Sequence, residues 1–455
     1  MLDDAKIKLF EYNKHIVVFN GSDLTLNILP WQLDHSIKTK DFLFSQFTEV
    51  ESKRCNPLQY PFDSKLTGCA EEKIDEKVIQ EKLPILNRLS INISNTCNMA
   101  CEYCYANKGI YYTKGGLMSK STALNAVKFI RRNFLTIKHV NFFGGEPTLN
   151  QNIIELICKY FIYLKTQGLV EKLPQFGLTT NGYVISGDLF QILRKYNFSV
   201  TISFDGPKMI HNKLRINKTG SGTYDAIFDN VMTLIDMGIN PEFECTYTLE
   251  HYKNDIDLIQ LIDFFYDNFN CSILHCPIVI TKPDTRFYIS LDKASELYAD
   301  AIKYSIFNLL HDLPKSISLA KRLLNSMIAK TAIPHYCPAG QSSITINADG
   351  NIYACFLLMD GSGYSLGNVN GNQKKMNNPK LITDIMKDSN KWENSACANC
   401  WAQALCFGCL GEDIVRHGTR ITRSAIQGQS ALCDYKRIII ESFLRAIAEA
   451  CFKDN

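Results

Sequence analysis

The sequence has no run of about eighteen apolar residues, the length that a helix needs to cross a membrane. It begins MLDDAKIKLF, which is charged and lacks the basic and then apolar order of a secretory signal peptide. Net charge is also scarce: 49 lysines and arginines nearly cancel 46 aspartates and glutamates, and +3 gives no basis for bulk binding to nucleic acid. Internal repeats and low-complexity tracts are missing as well. We therefore expect a cytoplasmic protein with neither a membrane nor a nucleic acid as its partner.

The chain is long and rich in cysteine. Its 455 residues, 46% hydrophobic and 21% charged, suit a globular protein of roughly two to four domains. Seventeen cysteines are many for a cytoplasmic protein, and an odd number cannot all pair internally. In a reducing compartment, clustered cysteines indicate metal or redox chemistry. Ten of them form two groups: Cys97, Cys101 and Cys104, and then Cys337, Cys355, Cys397, Cys400, Cys406, Cys409 and Cys433. The other seven are scattered, and we expect most of them to be core residues.

Residues 88–290 alternate short β-rich runs with helical patterns. The predicted strands are Leu89–Ile93, His139–Phe143, Gln175–Thr179, Ser199–Phe204, Phe243–Thr248 and Ile273–Ile280. The predicted helices between them include Ser121–Phe134, Asn152–Leu164, Tyr224–Met237 and Ile256–Phe269. Six strand–helix units imply an α/β fold whose parallel sheet curls into a full or partial barrel. Chemistry in such folds lies at the C-terminal ends of the strands. CNMACEYC, GGEP, TNG and DGP follow the first four strands in turn, at one rim.

The first cysteine group has the spacing of an iron–sulfur ligand set. Cys97, Cys101 and Cys104 lie in a loop after a strand and can close around one 4Fe–4S cluster. Such a cluster normally takes four thiolates, so three leave one iron open to a substrate or cofactor. The alternative is structural zinc, which needs four ligands, and neither a fourth cysteine nor a histidine lies nearby.

This segment resembles the CxxxCxxC signature of the radical S-adenosylmethionine (SAM) superfamily, including the aromatic Tyr103 before the last cysteine. The resemblance implies a partial (β/α)6 barrel in which SAM chelates the open iron and is cleaved reductively to a 5′-deoxyadenosyl radical. FFGGEPTLN resembles the glycine-rich segment of the family. The residues that the resemblance assigns to SAM are Gly144, Gly145, Glu146 and Pro147, then Thr180, Asn181, Ser203, Asp205 and Arg215, with Tyr103. Glu146 would hold the methionyl ammonium, and Arg215 would bind a carboxylate bidentately. His211 is interpreted as a positioning residue.

The second cysteine group resembles the SPASM extension, the auxiliary-cluster domain of radical enzymes that modify peptides. The resemblance implies two auxiliary clusters, one on Cys337, Cys355 and Cys409 and the other on Cys397, Cys400, Cys406 and Cys433. Only two residues separate Cys406 from Cys409, where the family usually has three. A zinc site at the CxxC-rich end remains the alternative. The first auxiliary set lacks a fourth thiolate; His335, Cys271 or Cys276 could supply the ligand, or one iron could stay open.

The region before residue 84 is predicted to be a small separate domain, with β-like runs Ile7–Tyr12, His15–Asn20 and Leu24–Ile28 and a charged stretch, Glu71–Lys82. By resemblance to maturases of ribosomally made (RiPP) peptides, residues 1–83 would be a winged-helix leader-peptide recognition domain. A structural cap on the barrel is the alternative. Residues 84–290 would form the radical SAM core, 291–334 a helical bridge, and 335–455 the auxiliary domain with its final helix, Arg437–Phe452.

The predicted function is a peptide maturase that installs a thioether or carbon–carbon crosslink in a precursor peptide composed of leader and core. An electron donor such as flavodoxin or ferredoxin would be its second partner. A sulfatase maturase that forms formylglycine is a competing function, but that family places an aspartate directly after the second cysteine of the extension, whereas Cys355 here precedes Phe356. A non-enzymatic electron-transfer protein is the third hypothesis, although it would not need an open iron beside GGEP.

Overall fold

The computed structural model describes residues 6–12, 15–30, 53–54, 84–332, 334–335, 337–359, 363–371, 376, 378–417 and 431–453. Its strands are β1 Ile7–Tyr12, β2 His15–Asn20, β3 Thr25–Pro30, β4 Lys53–Arg54, β5 Ile85–Ser94, β6 Thr136–Gly144, β7 Gln175–Thr180, β8 Ser199–Ser203, β9 Glu242–Glu244, β10 Ile273–Leu274, β11 Ser316–Ile317, β12 Ser343–Ile346, β13 Asn351–Tyr353 and β14 Gly367–Asn368. Its α-helices are α1 Lys120–Asn133, α2 Gln151–Thr166, α3 Gly187–Lys195, α4 Lys208–Leu214, α5 Tyr224–Asp236, α6 Leu249–Lys253, α7 Leu258–Phe269, α8 Leu291–Leu310, α9 Ser318–Ala329, α10 Pro379–Ser389, α11 Ser395–Ala398, α12 Leu410–His417 and α13 Ala431–Lys453.

An eight-stranded mixed sheet organises the molecule. Its order is β14-β13-β12-β5-β6-β7-β8-β9. Strands β5 to β9 are parallel, as the alternating pattern predicts. Strand β12 adds to the other edge of β5 in parallel, and β13 and β14 continue antiparallel. The barrel and the cysteine-rich C-terminal region therefore share one hydrogen-bonded sheet.

The sixth predicted strand, Ile273–Ile280, is wrong over most of its length. Only β10 is a strand, and it pairs with β11 rather than β9. Beyond it the contact with the preceding segment includes isolated bridges such as Tyr247 to Ile278. Pro277 interrupts the segment because proline has no N–H to donate to a ladder. The predicted strand Phe243–Thr248 likewise shrinks to β9.

Burial on the two faces of the sheet follows the strand period of two. In β8, Val200 and Ile202 are buried in the core, while Thr201 and Ser203 line the central cavity. Helix α1 covers the outer face with apolar residues at three- and four-residue steps, Ala123, Ala126 and Ile130, and Ser119 caps its first turn. The apolar residues of the sheet therefore pack against the helix layer, and its polar residues face the barrel interior.

The N-terminal strands form an antiparallel sheet, β1-β2-β3-β4, that packs on the C-terminal region. The ring of Phe19 meets Trp401 edge-on at 6.4 Å. Lys8 pairs with Glu441 of α13 at 2.7 Å, and Arg445 donates to a backbone carbonyl of β1. These contacts place the sheet against Trp401, which follows Cys400, and against α13, which contains Cys433.

Residues 31–52 and 55–83, including the predicted charged stretch Glu71–Lys82, lie outside the described residues. The winged-helix prediction for residues 1–83 therefore stays a prediction, although its first two β-runs coincide with β1 and β2. The predicted final helix begins earlier than expected, as α13. Among the described helices, none combines the length and the apolar character needed to cross a bilayer.

Candidate functional site

The cysteine loop after β5 opens into a cavity of about 890 Å³ at the C-terminal end of the parallel strands. Cys97, Cys101 and Cys104 are half-buried and all line it. Burial raises the pKa of Cys97 to about 12 and that of Cys101 to about 11. Thiolates here would therefore need a strong positive charge beside them, which an iron cluster supplies.

The number of cysteines in the loop bears on which metal group they could hold. Across the described part of the chain, no three His, Cys, Asp or Glu side chains converge closely enough to hold one metal ion. Structural zinc needs four ligands, each about 2.0 to 2.3 Å from one point. The loop brings three cysteines to the cavity, which is one ligand fewer than structural zinc needs and the number that leaves one iron of a 4Fe–4S cluster open.

The GGEP turn at the end of β6 is locked to the cysteine loop by backbone contacts. Gly145 N–H donates to the Ser94 carbonyl at 2.7 Å, and Glu146 N–H donates to the Thr96 carbonyl at 2.8 Å. A Cβ on Gly145 would lie 2.3 Å from the Thr96 oxygen, so only glycine fits. Gly109 also packs closely against the cysteine loop, because a Cβ at this position would lie 2.7 Å from Cys97 Cβ.

Glu146 is fully buried and is already engaged by the chain. Its Oε1 accepts from Thr180 Oγ1 at 2.7 Å and from Thr148 N at 3.0 Å, and its Oε2 accepts from Asn181 N at 2.8 Å. Burial raises the pKa of Glu146. Oε2 receives only one of these bonds, so it retains a lone pair for a further donor. The carboxylate therefore joins β6 to β7 and offers one open acceptor to a cation.

Asn181 connects the end of β7 to the cysteine loop. Its side-chain amide donates to Asn98 Oδ1 at 2.8 Å and lies 3.6 Å from Cys97 Sγ. The buried Asn98 Nδ2 has no hydrogen-bond partner. An orphaned donor beside the first cysteine marks a place where an anionic or carbonyl group would be stabilised.

Tyr103, Asp205 and Arg215, which the motifs place far apart in sequence, meet in one buried cluster. Tyr103 donates to Asp205 Oδ2 at 2.6 Å, and Arg215 Nε lies 3.0 Å from the same oxygen. Arg215 Nε–H is not aligned for a hydrogen bond, so this contact is an ion pair. The guanidinium also lies over the Tyr103 ring at 5.6 Å. Asp205 and Arg215, two of the three charged residues assigned to SAM, therefore neutralise each other before any ligand binds.

Two histidines hold this cluster in place. His211 Nδ1 accepts from Asp205 N, and its Nε2 bonds Thr223 Oγ1, which donates to the Arg215 carbonyl. Burial lowers the pKa of His211 to about 3, so the ring is neutral and positions its neighbours. His251, which no sequence motif had indicated, donates through Nε2 to the Asp205 carbonyl at 3.0 Å. Its local signal is the Thr248 capping box that opens α6.

The first auxiliary set reaches the same cavity through one of its members, Cys409. Cys337, Cys355 and Cys409 are close enough to perturb one another electrostatically, and Cys409 lines the cavity. Phe356, directly after Cys355, packs 4.9 Å from Phe143, ring centre to ring centre. An aromatic ring therefore connects the auxiliary set to the end of β6.

The three residues considered as the fourth ligand of the first auxiliary set lie in different places. Cys271 lines the cavity together with Cys409. His335 bonds Ser389 through Nδ1 at 2.7 Å, and Cys276 is buried beside Cys245. Of the three, only Cys271 shares the cavity with the auxiliary set.

The second auxiliary set is gathered by α11, the following loop and the start of α13. Cys397 lies in α11, Cys400 and Cys406 follow it, and Cys433 lies in α13. Arg437, one turn after Cys433, donates to the Cys400 sulfur. The long C-terminal helix is therefore joined to the cysteine loop at this set.

Comparison with known proteins agrees with this geometry. Residues 91–265 match the Radical SAM superfamily, and residues 337–401 match an iron–sulfur cluster-binding SPASM domain. The chain is a radical SAM enzyme with a SPASM domain. The SPASM match ends at residue 401, so the ligand roles predicted for Cys406, Cys409 and Cys433 stay predictions.

Two curated relatives of this radical SAM enzyme cover most of its length. The radical SAM cyclopropyl synthase TigE of Paramaledivibacter caminithermalis is 23% identical over 88% of this chain and 85% of its own. The cysteine-type anaerobic sulfatase-maturating enzyme of Clostridium novyi is 24% identical over 70% of this chain and 85% of its own.

Solved structures share the fold. Native anSMEcpe with bound AdoMet has a TM-score of 0.66 at 18% identity, over 82% of the radical SAM enzyme and 100% of its own chain. Streptococcus suis SuiB bound to the precursor peptide SuiA has a TM-score of 0.53 at 14% identity, over 94% and 99% respectively. These likenesses confirm the α/β architecture with its C-terminal auxiliary domain.

Proposed function

We propose that this radical SAM enzyme is a peptide maturase that installs a thioether or carbon–carbon bond in a ribosomally made precursor. The observation that carries the proposal is the shared cavity, which runs from the cysteine loop after β5 to Cys409 of the first auxiliary set. A substrate segment in this space would lie between the two cysteine groups. SuiB, which was solved with a precursor peptide, has the same fold over nearly all of this chain.

In this proposal Cys97, Cys101 and Cys104 hold a 4Fe–4S cluster that, when bound with SAM, supplies the 5′-deoxyadenosyl radical. Gly144 to Pro147 form the rim against which the methionyl part would lie. Glu146 presents its remaining acceptor to the ammonium, while Thr180 and Asn181 hold that carboxylate in place. The buried pair Asp205–Arg215, with Tyr103 and Ser203, would set the opposite wall, since Tyr103, Ser203 and Arg215 all line the cavity.

A sulfatase-maturase activity is the competing proposal, since such enzymes share the fold. The position after Cys355 argues against it. Phe356 carries no proton-accepting group, and its ring packs against Phe143 and Tyr105. A formylglycine-forming enzyme with Phe356 at this position would need a proton acceptor from another residue. We therefore favour crosslinking over formylglycine formation.

The test of function is turnover of a candidate precursor encoded beside the gene. Forming a thioether or a carbon–carbon bond removes two hydrogen atoms from the peptide, and we expect that mass loss together with 5′-deoxyadenosine. Thiol alkylation separates the products, because a thioether consumes a cysteine thiol and a carbon–carbon bond does not. TigE is named a cyclopropyl synthase, so a three-membered carbon ring is the product class to examine when thiols remain. A peptide in which a cysteine has become an aldehyde would contradict the proposal.

Leader recognition by the N-terminal region gives a separate prediction. Deleting residues 1–80 should weaken precursor binding at least tenfold, about 1.4 kcal/mol. The SAM cleavage that occurs without peptide should persist, because the described contacts of β1 and β2 are made with α13 and Trp401. Fluorescence anisotropy with labelled precursor measures the first effect, and 5′-deoxyadenosine release measures the second. Equal precursor affinity in the truncated and full-length proteins, at equal iron content, would favour the structural-cap alternative.

A further inference from the structure

The side-chain amide of Asn181 has a fixed orientation at the end of β7. Asn181 is 8% exposed, and its Oδ1 accepts from the backbone N–H of Tyr183 at 2.9 Å. Its Nδ2 donates to Asn98 Oδ1 at 2.8 Å. A flipped amide would set a donor against the Tyr183 N–H and an acceptor against Asn98 Oδ1, so these two contacts assign the oxygen and the nitrogen. Nδ2 therefore faces the cysteine loop and carries a second N–H beyond the one given to Asn98.

This second N–H lies against the sulfur of the first cysteine. Asn181 Nδ2 donates to Cys97 Sγ at 3.6 Å, and the backbone N–H of Met99 donates to the same sulfur at 3.4 Å. The oxygen of Asn98 is farther from this sulfur, at 3.9 Å. Both N–H donors are thus closer to Cys97 Sγ than this oxygen is. The surroundings of Cys97 therefore favour a sulfur that carries negative charge.

A further amide donor lies beside the same cysteine. Asn98 directly follows Cys97, and its Nδ2 is buried without a hydrogen-bond partner. Buried donors in proteins are nearly always satisfied, so an unpartnered one calls for an explanation. A cluster held by Cys97 brings sulfur acceptors to this loop, and such an acceptor is the kind of partner that Asn98 Nδ2 lacks.

Hydrogen bonds to the sulfurs are among the factors that set the reduction potential of an iron–sulfur cluster. Reduction makes the cluster and its thiolates more negative. An N–H directed at a thiolate stabilises this negative charge, and the effect is strong in a buried site because the local dielectric constant is low. A buried N–H donor to a cysteine ligand therefore raises the reduction potential, and its removal lowers it.

We propose that Asn181 raises the reduction potential of the cluster at Cys97, Cys101 and Cys104 by donating its second N–H to the Cys97 thiolate. The inference rests on the proposed function, because it takes this loop to hold a cluster. It assigns the Asn181 side chain to a cysteine ligand, while the Asn181 backbone N–H holds Glu146. The step concerned is the one-electron reduction that precedes SAM cleavage. The electron comes from a donor of the flavodoxin or ferredoxin class, and no proton is transferred.

The experiment is an anaerobic reduction titration of the full-length, cluster-loaded chain, followed by electron paramagnetic resonance. The part of the signal that is lost when Cys97, Cys101 and Cys104 are replaced by alanine identifies the cluster of this loop. Asn181→Leu keeps the size of the side chain and removes both of its N–H donors. At fixed potential, the oxidised-to-reduced ratio of this cluster should rise tenfold in Asn181→Leu. For a one-electron couple this is a fall of about 59 mV.

Asn230→Leu is the matched control. Asn230 Nδ2 donates to the Gly182 carbonyl at 2.9 Å, so this variant removes a hydrogen bond from the same turn and leaves both donors to Cys97 in place. Its potential should equal that of the parent. If Asn181 only supported the turn, the potential would fall equally in the two variants or in neither, and either result would overturn the inference.

Asn98→Leu provides a second variant for the case that Asn181→Leu does not retain its cluster. It removes the oxygen that orients Asn181 and the unpartnered amide donor, so the potential should fall in the same direction. An unchanged potential in cluster-loaded Asn98→Leu would overturn the inference. Absence of the loop signal in the parent chain would overturn the cluster assignment as well. The expected shift in a protein that leaves every candidate precursor unmodified would support the role of Asn181 and contradict the peptide-maturase proposal alone.

Discussion

Replacing Cys101 with alanine is expected to abolish 5′-deoxyadenosine formation by the reconstituted, reduced enzyme. Cys101 lines the cavity between the other two cysteines of its loop, and two thiolates hold a cluster poorly. Loss of an outer-shell partner alone typically costs 10- to 100-fold in metal affinity or activity, so loss of a direct ligand should exceed about 100-fold. Chromatographic measurement of 5′-deoxyadenosine and methionine, normalised to protein, gives the rate.

The matched control for this prediction is Cys158→Ala. Cys158 is buried in α2 and packs in the hydrophobic core without lining the cavity. The Cys158→Ala variant should form 5′-deoxyadenosine at the parent rate, after allowance for a modest loss of stability. Undiminished 5′-deoxyadenosine from the Cys101 variant would remove the radical site from this loop. Equal loss in both variants would indicate damage to the fold.

Replacing Arg215 with alanine should destabilise the chain by about 3 to 5 kcal/mol. The side chain of Arg215 is 8% exposed and that of Asp205 is fully buried, so the change leaves an uncompensated carboxylate in the protein interior. Tyr103 and the Thr246 N–H still donate to Asp205, which places the expected value at the lower end of that range. The free energy of unfolding in urea, measured on the cluster-free chain, checks it.

Lys208→Ala is the comparison for Arg215→Ala. Lys208 pairs with Asp225 at 2.7 Å, but both side chains are more than half exposed. Exposed pairs contribute about 0 to 1 kcal/mol, so this variant should unfold nearly as the parent does. Similar free energies of unfolding for the two variants would mean that the buried Asp205–Arg215 pair contributes no more to stability than an exposed pair does.

Sequence reasoning could bring the candidate site residues to one cavity because its signals are local. The cysteine spacing, the GGEP turn and the ends of the next strands each lie within a few residues, and parallel strands bring their C-terminal ends to one rim. The partners of Glu146 were harder to foresee. A carboxylate assigned to a ligand is bonded by Thr180 and Asn181, and nothing in its own segment specifies which donors from β7 reach it.

Long-range pairing explains most of what sequence reasoning missed. Strand β12 reads as a short apolar run after a cysteine, and only tertiary contact places it against β5. The sixth barrel strand was overestimated because the apolar run Ile273–Ile280 outweighed Pro277 in the pattern. His251 belongs to the capping box of α6 and bonds the Asp205 carbonyl. A capping box predicts where a helix starts, but it does not predict which distant residue its side chains contact.

The pairing of β12 with β5 bears on the exchange of domains between related radical SAM enzymes. Register pairs from Ser343–Arg88 to Ile346–Ile91 join the auxiliary region to the strand that leads into the cysteine loop after β5. A cut at residue 334 would leave β5 with an open edge, whose unpaired N–H and C=O groups invite aggregation. Chimaeras that graft a foreign auxiliary domain onto this barrel should therefore bring β12 in matching register. Shuffling at the linker alone should yield insoluble protein.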